Sequence, residues 1–243
     1  MKNVTDNETG SVIWRGCYWD DRKIETDEQF AKEVRYGRIV NAEGKEAITA
    51  KYIKKYTGDL TGSIVYLGEC HSAHDTILAQ AFIDKGAVAV IGNSRETQQL
   101  YNNIIEYTVT VLMCQTNPNS GQQYTFREAL EEAKFKYGMT DKDLYPEMHG
   151  ARPYVIGDGS FVLDKTAGYD VVTIMPYYDE AAGKGGDSKI ELPEGVNDQA
   201  ELIEKAAQYL VDNAGCTYSF RSRNEILDEN ILSHLHSNQI ILM

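Results

Sequence analysis

The chain has 243 residues, a net charge of −13 and a pI near 4.8. That acidity excludes a nucleic-acid backbone or an anionic membrane as the main partner, because both require a basic face. Hydrophobic residues make up 42% and charged residues 25%, which fits a globular protein with one large α/β domain or two small ones.

No apolar run approaches the ~20 residues of a membrane span. The opening "MKNVTDNETG" is polar and has no signal-peptide core, which leaves cytoplasmic and secreted locations both open. In chain order, residues 10–16 ("GSVIWRG") read as a short strand between glycines. Residues 17–30 are polar and turn-like, and "FAKEVRYGRI" reads as a helix ending at Gly37. Residues 49–58 read as a short helix with Thr49 as N-cap and Gly58 as C-cap. "SIVYLG" (63–68) is a buried strand, and 76–86 a helix with Ile77, Ala81 and Phe82 on one face. "AVAVIGN" (87–93) is a second apolar strand, followed by a long helix over 96–115.

Residues 125–138 are a helix with Thr125 and Glu128 in capping-box register. Residues 153–163 are a strand broken by a turn, and 164–168 lie in a linker. Then the rhythm restarts: strand 169–178, a Gly-rich loop, helix 197–215 capped by Asn197 or Asp198, strand "CTYSF", helix "NEILDENILSHL" and strand "NQIILM". Alternating strands and helices, with several uniformly apolar strands, predict a mainly parallel sheet covered on both faces, an α/β/α three-layer sandwich.

The four cysteines, 17, 70, 114 and 216, form no C-x-x-C pair, so a zinc ribbon or thioredoxin motif is not expected. Cys114 and Cys216 read as core residues, while Cys17 and Cys70 each follow a strand. In open parallel sheets, ligands bind at the carboxyl ends of strands. Cys70 stands at such an end, after Gly68, with the N-terminus of the next helix near Thr76 and able to favour a thiolate. A nucleophilic thiol is therefore weighed against a buried post-strand cysteine, which is the ordinary reading of a cysteine drawn at random.

A nucleophile needs a base. His71 is a sequence neighbour expected to point away, and His74 is in the next loop. His149 reads as a loop residue, His234 as exposed and His236 as a capping or packing residue. No His-x-x-Glu-His zinc motif occurs and no cofactor is called for. The Gly-rich "GKGGDSK" (183–189) lacks P-loop spacing, so a nucleotide-binding domain is the weaker alternative.

The stretch "SIVYLGECHSAHDTILAQAFIDKGAVAVIGNS" resembles the caspase-like cysteine peptidases: caspases, gingipains, separases and bacterial CHAT domains. The resemblance covers about residues 10–163, including "ITAKYIKKYTGDLTGSIVYLGEC" upstream and "TFREALEEAKFKYG" and "YVIGDGSFVL" downstream. It implies a bacterial peptide-bond hydrolase with Cys70 as nucleophile and the Cys70 N–H in an oxyanion hole. Glu69, Asn93 and Ser94 are implied to line the substrate pocket. Asp20 and Asp21 read either as pocket acids or, more simply, as a solvated turn.

Residues 169–243 resemble the opening of the same fold, where the strand like "NQIILM" delivers the catalytic His-Gly. The expectation is a permuted domain, with 1–163 as the Cys half and 169–243 as the other half, its His-Gly loop missing or interrupted at the join. A permutant packs "NQIILM" beside "SIVYLG" in one molecule. A second copy cut short instead leaves a sheet that must pair with another chain. The alternative function is a non-catalytic caspase-like module for binding or self-assembly.

Overall fold

The computed structural model describes residues 11–175, 192–194, 196, 201–223, 227 and 229–243. The Gly-rich loop at 183–189, the N-cap at 197 or 198 and the start of the helix expected from 224 lie outside the described residues.

Two sheets organise the chain. A small antiparallel sheet has the order β1–β3–β2, from β1 (Ile13–Tyr18), β2 (Ile39–Ala42) and β3 (Lys45–Ile48). The main sheet has six strands. They are β4 (Ile64–Tyr66), β5 (Ala89–Asn93), β6 (Pro153–Gly157), β7 (Asp170–Met175), β8 (Thr217–Arg223) and β9 (Gln239–Leu242). Their order is β6–β5–β4–β9–β7–β8, and all pairings are parallel except β5 with β6. Ile64, Val65 and Tyr66 pair with Ile240, Ile241 and Leu242, so the last strand is an inner neighbour of β4 within one chain.

The helices are α1 (Arg22–Thr26), α2 (Glu28–Arg35), α3 (Ala50–Tyr56), α4 (Ile77–Asp84), α5 (Gln99–Met113), α6 (Phe126–Tyr137), α7 (Glu201–Ala214) and α8 (Glu229–Ser233). Strand alternation divides the core in two. Ile64, Tyr66, Ala89, Ile91, Val171, Ile240 and Leu242 pack with α5, α6 and α7. Their neighbours Val65, Val90, Val172 and Ile241 pack with α3 and α4. Helices thus flank a mostly parallel sheet, which is why its strands are apolar on both sides.

Several local expectations change. The polar segment 17–30 is not merely a turn: β1 runs to Tyr18, and α1 and α2 follow. Cys17 accordingly lies inside β1, beside a register irregularity, rather than after it. The β2–β3 hairpin was not expected from the sequence; Glu43 and Gly44 at its turn both have positive φ, 53° and 79°. Ile77 is exposed at the first turn of α4 rather than on its buried face. The α3 C-cap is Thr57 rather than Gly58, while Thr49 caps its N-terminus and the Thr125–Glu128 capping box is formed. Among the described residues no helix is long and apolar enough to cross a membrane.

Candidate functional site

The carboxyl ends of β4 and β5 lie side by side, and the turn after β4 carries Cys70. That turn is fixed by cross-links to other elements. The Gly68 N–H donates to Met243 O (2.5 Å), His71 N–H to Arg95 O (3.0 Å) and Ala73 N–H to Asn93 O (3.0 Å). Ser11 Oγ donates to the His71 carbonyl, and Tyr154 from β6 donates its hydroxyl to the Ala73 carbonyl. Ser72, fully buried, donates to Leu67 O (3.0 Å) and accepts from Asn93 N–H (2.9 Å). His71 sits in the left-handed region (φ 58°), which bends the chain directly after Cys70.

Gly68 is required by close approach. A Cβ there would lie 2.5 Å from Met243 O and 2.7 Å from Asn102 Nδ2. Gly68→Ala is expected to lower stability by about 1–3 kcal/mol by overpacking, read as a lower urea midpoint at unchanged m.

The half-buried Cys70 thiol faces Thr97: its sulfur accepts from Thr97 N–H at 3.4 Å and lies 3.8 Å from Thr97 O. Burial pushes the thiol up to about 11, with the charges of Glu69, Glu96 and Asp141 adding to it and the Thr97 N–H opposing it. The expected thiolate, favoured by the start of α4, is therefore not the ground state; desolvation outweighs the helix end. Glu69 is half-buried beside it, and burial raises its carboxyl to about 7 while Lys45 pulls it down. The N–H groups of Glu69 and Cys70 donate to no acceptor among the described residues. Both donors are therefore left available at the strand end.

Asn93 and Ser94 close the neighbouring strand but present little to solvent. Asn93 is buried, with Nδ2 donating to Asn102 Oδ1 (2.8 Å). Ser94 Oγ accepts from Arg152 N–H (2.9 Å), tying β5 to the segment entering β6. Thus Glu69 and Cys70 come together at the edge, whereas Asn93 and Ser94 brace it from below and beside.

The histidines divide similarly. His74 Nδ1 lies 3.1 Å from Ser94 O, and since a carbonyl only accepts, Nδ1–H is the donor. The His71 ring meets it edge-on at 5.7 Å, and burial lowers the His71 pKa. His149 lies against Glu96 at 3.7 Å, while His236 lies 3.2 Å from Asp170, at the opposite end of the sheet. No imidazole hydrogen-bonds Cys70 among the described residues. Asp20 pairs with Arg22 and Asp21 accepts from Trp19 Nε1, the solvated-turn reading rather than a pocket. No group of three metal-ligating side chains occurs among the described residues.

Sequence reasoning missed Thr97, Asn102 and Asp141, and took Ser72 only as part of the Gly-x-Cys-x-Ser turn. Asp141 is buried and accepts from Gln98 N–H (3.0 Å) and Ala151 N–H (2.8 Å), which anchors the loop beyond Cys70. Each acts across a long sequence separation that local pattern does not report. No family model matches the chain, and no curated protein or solved structure matches it.

Proposed function

We propose that the chain is a caspase-like cysteine endopeptidase domain, an α/β/α three-layer sandwich in permuted order, with Cys70 as its nucleophile. The observation that carries this reading is the position of Cys70 at the carboxyl end of a parallel inner strand, beside the Glu69 and Cys70 N–H groups, which have no acceptor among the described residues. The pairing of β9 with β4 in one chain supports the permuted order over a cut second copy. The occupant of the edge is a peptide or protein substrate, with Glu69 facing it and Asn93 and Ser94 shaping the floor.

In the proposed reaction the Cys70 sulfur bonds to the peptide carbonyl carbon and its proton passes to a base. The carbonyl oxygen takes the charge at the two N–H groups. The C–N bond then breaks, the amine leaves with a proton, and water hydrolyses the thioester. With the thiol held near 11, attack draws on a base that takes the proton from the sulfur. Accordingly, alkylation of Cys70 by iodoacetamide is expected to rise about tenfold per pH unit through neutral pH and to level off only near 11. Site-resolved mass spectrometry over a pH series checks this, and a plateau below pH 9 would contradict it.

A second reading, a non-catalytic caspase-like binding or self-assembly module, is favoured by the same raised thiol and by the absence of an imidazole bonded to it among the described residues. Turnover of a peptide library separates the two. The peptidase reading expects cleavage that disappears in Cys70→Ala; the binding reading expects intact peptides with both proteins.

A further inference from the structure

We propose that Ser72 is a positioning residue whose hydroxyl holds Cys70 and the neighbouring N–H pair at the strand edge. This rests on the reading of Cys70 as the reactive group, but not on hydrolysis itself. The Ser72 hydroxyl joins both ends of the turn to the adjacent strand. It donates to the carbonyl of Leu67, the first residue after β4, and accepts from Asn93 N–H at the end of β5. Cys70 lies between those two anchors, on a segment of five residues counted from Gly68 to Ser72.

The fit around the hydroxyl is tight. A Cβ on Gly92 would meet Ser72 Oγ and Ala73 Cβ, each at 2.9 Å, so β5 leaves room for this side chain by having a glycine opposite it. Ser72 is fully buried and Asn93 is 1% exposed, so water does not readily replace either bond. Behind them Asn93 Nδ2 bonds Asn102 Oδ1, and the Asn102 amide abuts Gly68. The brace therefore runs from α5 through β5 to both sides of the cysteine. Losing it loosens the peptide units of Glu69 and Cys70, which carry the two N–H groups and the sulfur that meets Thr97, while the His71 N–H bond to Arg95 O remains.

The test compares Ser72→Ala with wild-type full-length protein, using iodoacetamide alkylation of Cys70 followed by peptide mass spectrometry across pH. In wild type the turn keeps the thiol desolvated, with an inflection near 11. In Ser72→Ala the inflection is expected to fall by about one pH unit or more, toward that of a solvated thiol. Gly92→Ala keeps the hydroxyl but crowds it, and is expected to shift the inflection the same way; it serves if Ser72→Ala does not fold. An unchanged inflection in the folded variants overturns the positioning role. Failure of the peptidase reading is seen separately, as wild-type protein that does not react with a peptidyl electrophile.

Discussion

Replacing Cys70 by alanine is expected to lower peptide hydrolysis by about 10⁴-fold or more, with the fold intact. Removing a nucleophile takes away the covalent route altogether, and what remains is the weak catalysis of an oxyanion site and bound substrate. The fold should tolerate the change because the side chain is half-buried and its only hydrogen-bond partner among the described residues is Thr97. The Cys17, Cys114 and Cys216 alanine variants act as controls. Cys114 and Cys216 are buried core thiols raised to about 11. Burial and a hydrogen bond with Glu46 likewise raise Cys17 to about 11. None of the three is at the edge of the main sheet occupied by Cys70, so each should keep turnover within about twofold. Activity is measured on a cleaved peptide with circular dichroism of each variant.

Glu106→Gln is expected to change how stability depends on pH. Glu106 is fully buried on α5, and neither carboxyl oxygen has a hydrogen-bond partner among the described residues. Burial alone raises its pKa well above 4.5, so the folded state favours the neutral acid. The folded state then keeps a proton that the unfolded chain releases. The sign follows: Glu106's contribution is fully present below about 4.5 and is lost as pH rises toward the folded value, at about 1.4 kcal/mol per pH unit. Glutamine does not titrate, so the melting temperature of Glu106→Gln should gain on wild type as pH rises above about 5. Parallel melting curves for the two proteins over that range would contradict the assignment.

These two residues show what local pattern reports and what it does not. The helix at 96–115 was legible from its apolar content, yet Asn102, Glu106 and Thr110 recur at a spacing of four, which by pattern alone marks a solvated stripe. In the fold that stripe is buried. The strand pattern of "SIVYLG" and "NQIILM" was equally legible, but strand neighbours depend on contacts across more than 170 residues, such as Val65 with Ile241. Only the expectation of a permuted sheet connected them.

The β2–β3 hairpin carried a local signal, Glu-Gly between two β-prone runs, that a reading biased toward helices passes over. Helix α1 carried none, since it buries no residue. At the site, the position of Cys70 followed from the strand and Gly68. Its state did not: the raised thiol comes from burial at a tertiary edge and from Glu96 and Asp141, far away in sequence.

The central claim is a reactive cysteine at a peptide-binding edge, and covalent labelling tests it most directly. Wild-type protein is treated with a peptidyl acyloxymethyl ketone, which forms a thioether as its carboxylate leaves, and the modified residue is located by mass spectrometry. The account predicts modification at Cys70 alone, slowed by excess peptide and absent in Cys70→Ala. Modification at Cys17 in its place, or no modification of Cys70 up to pH 9, would contradict it.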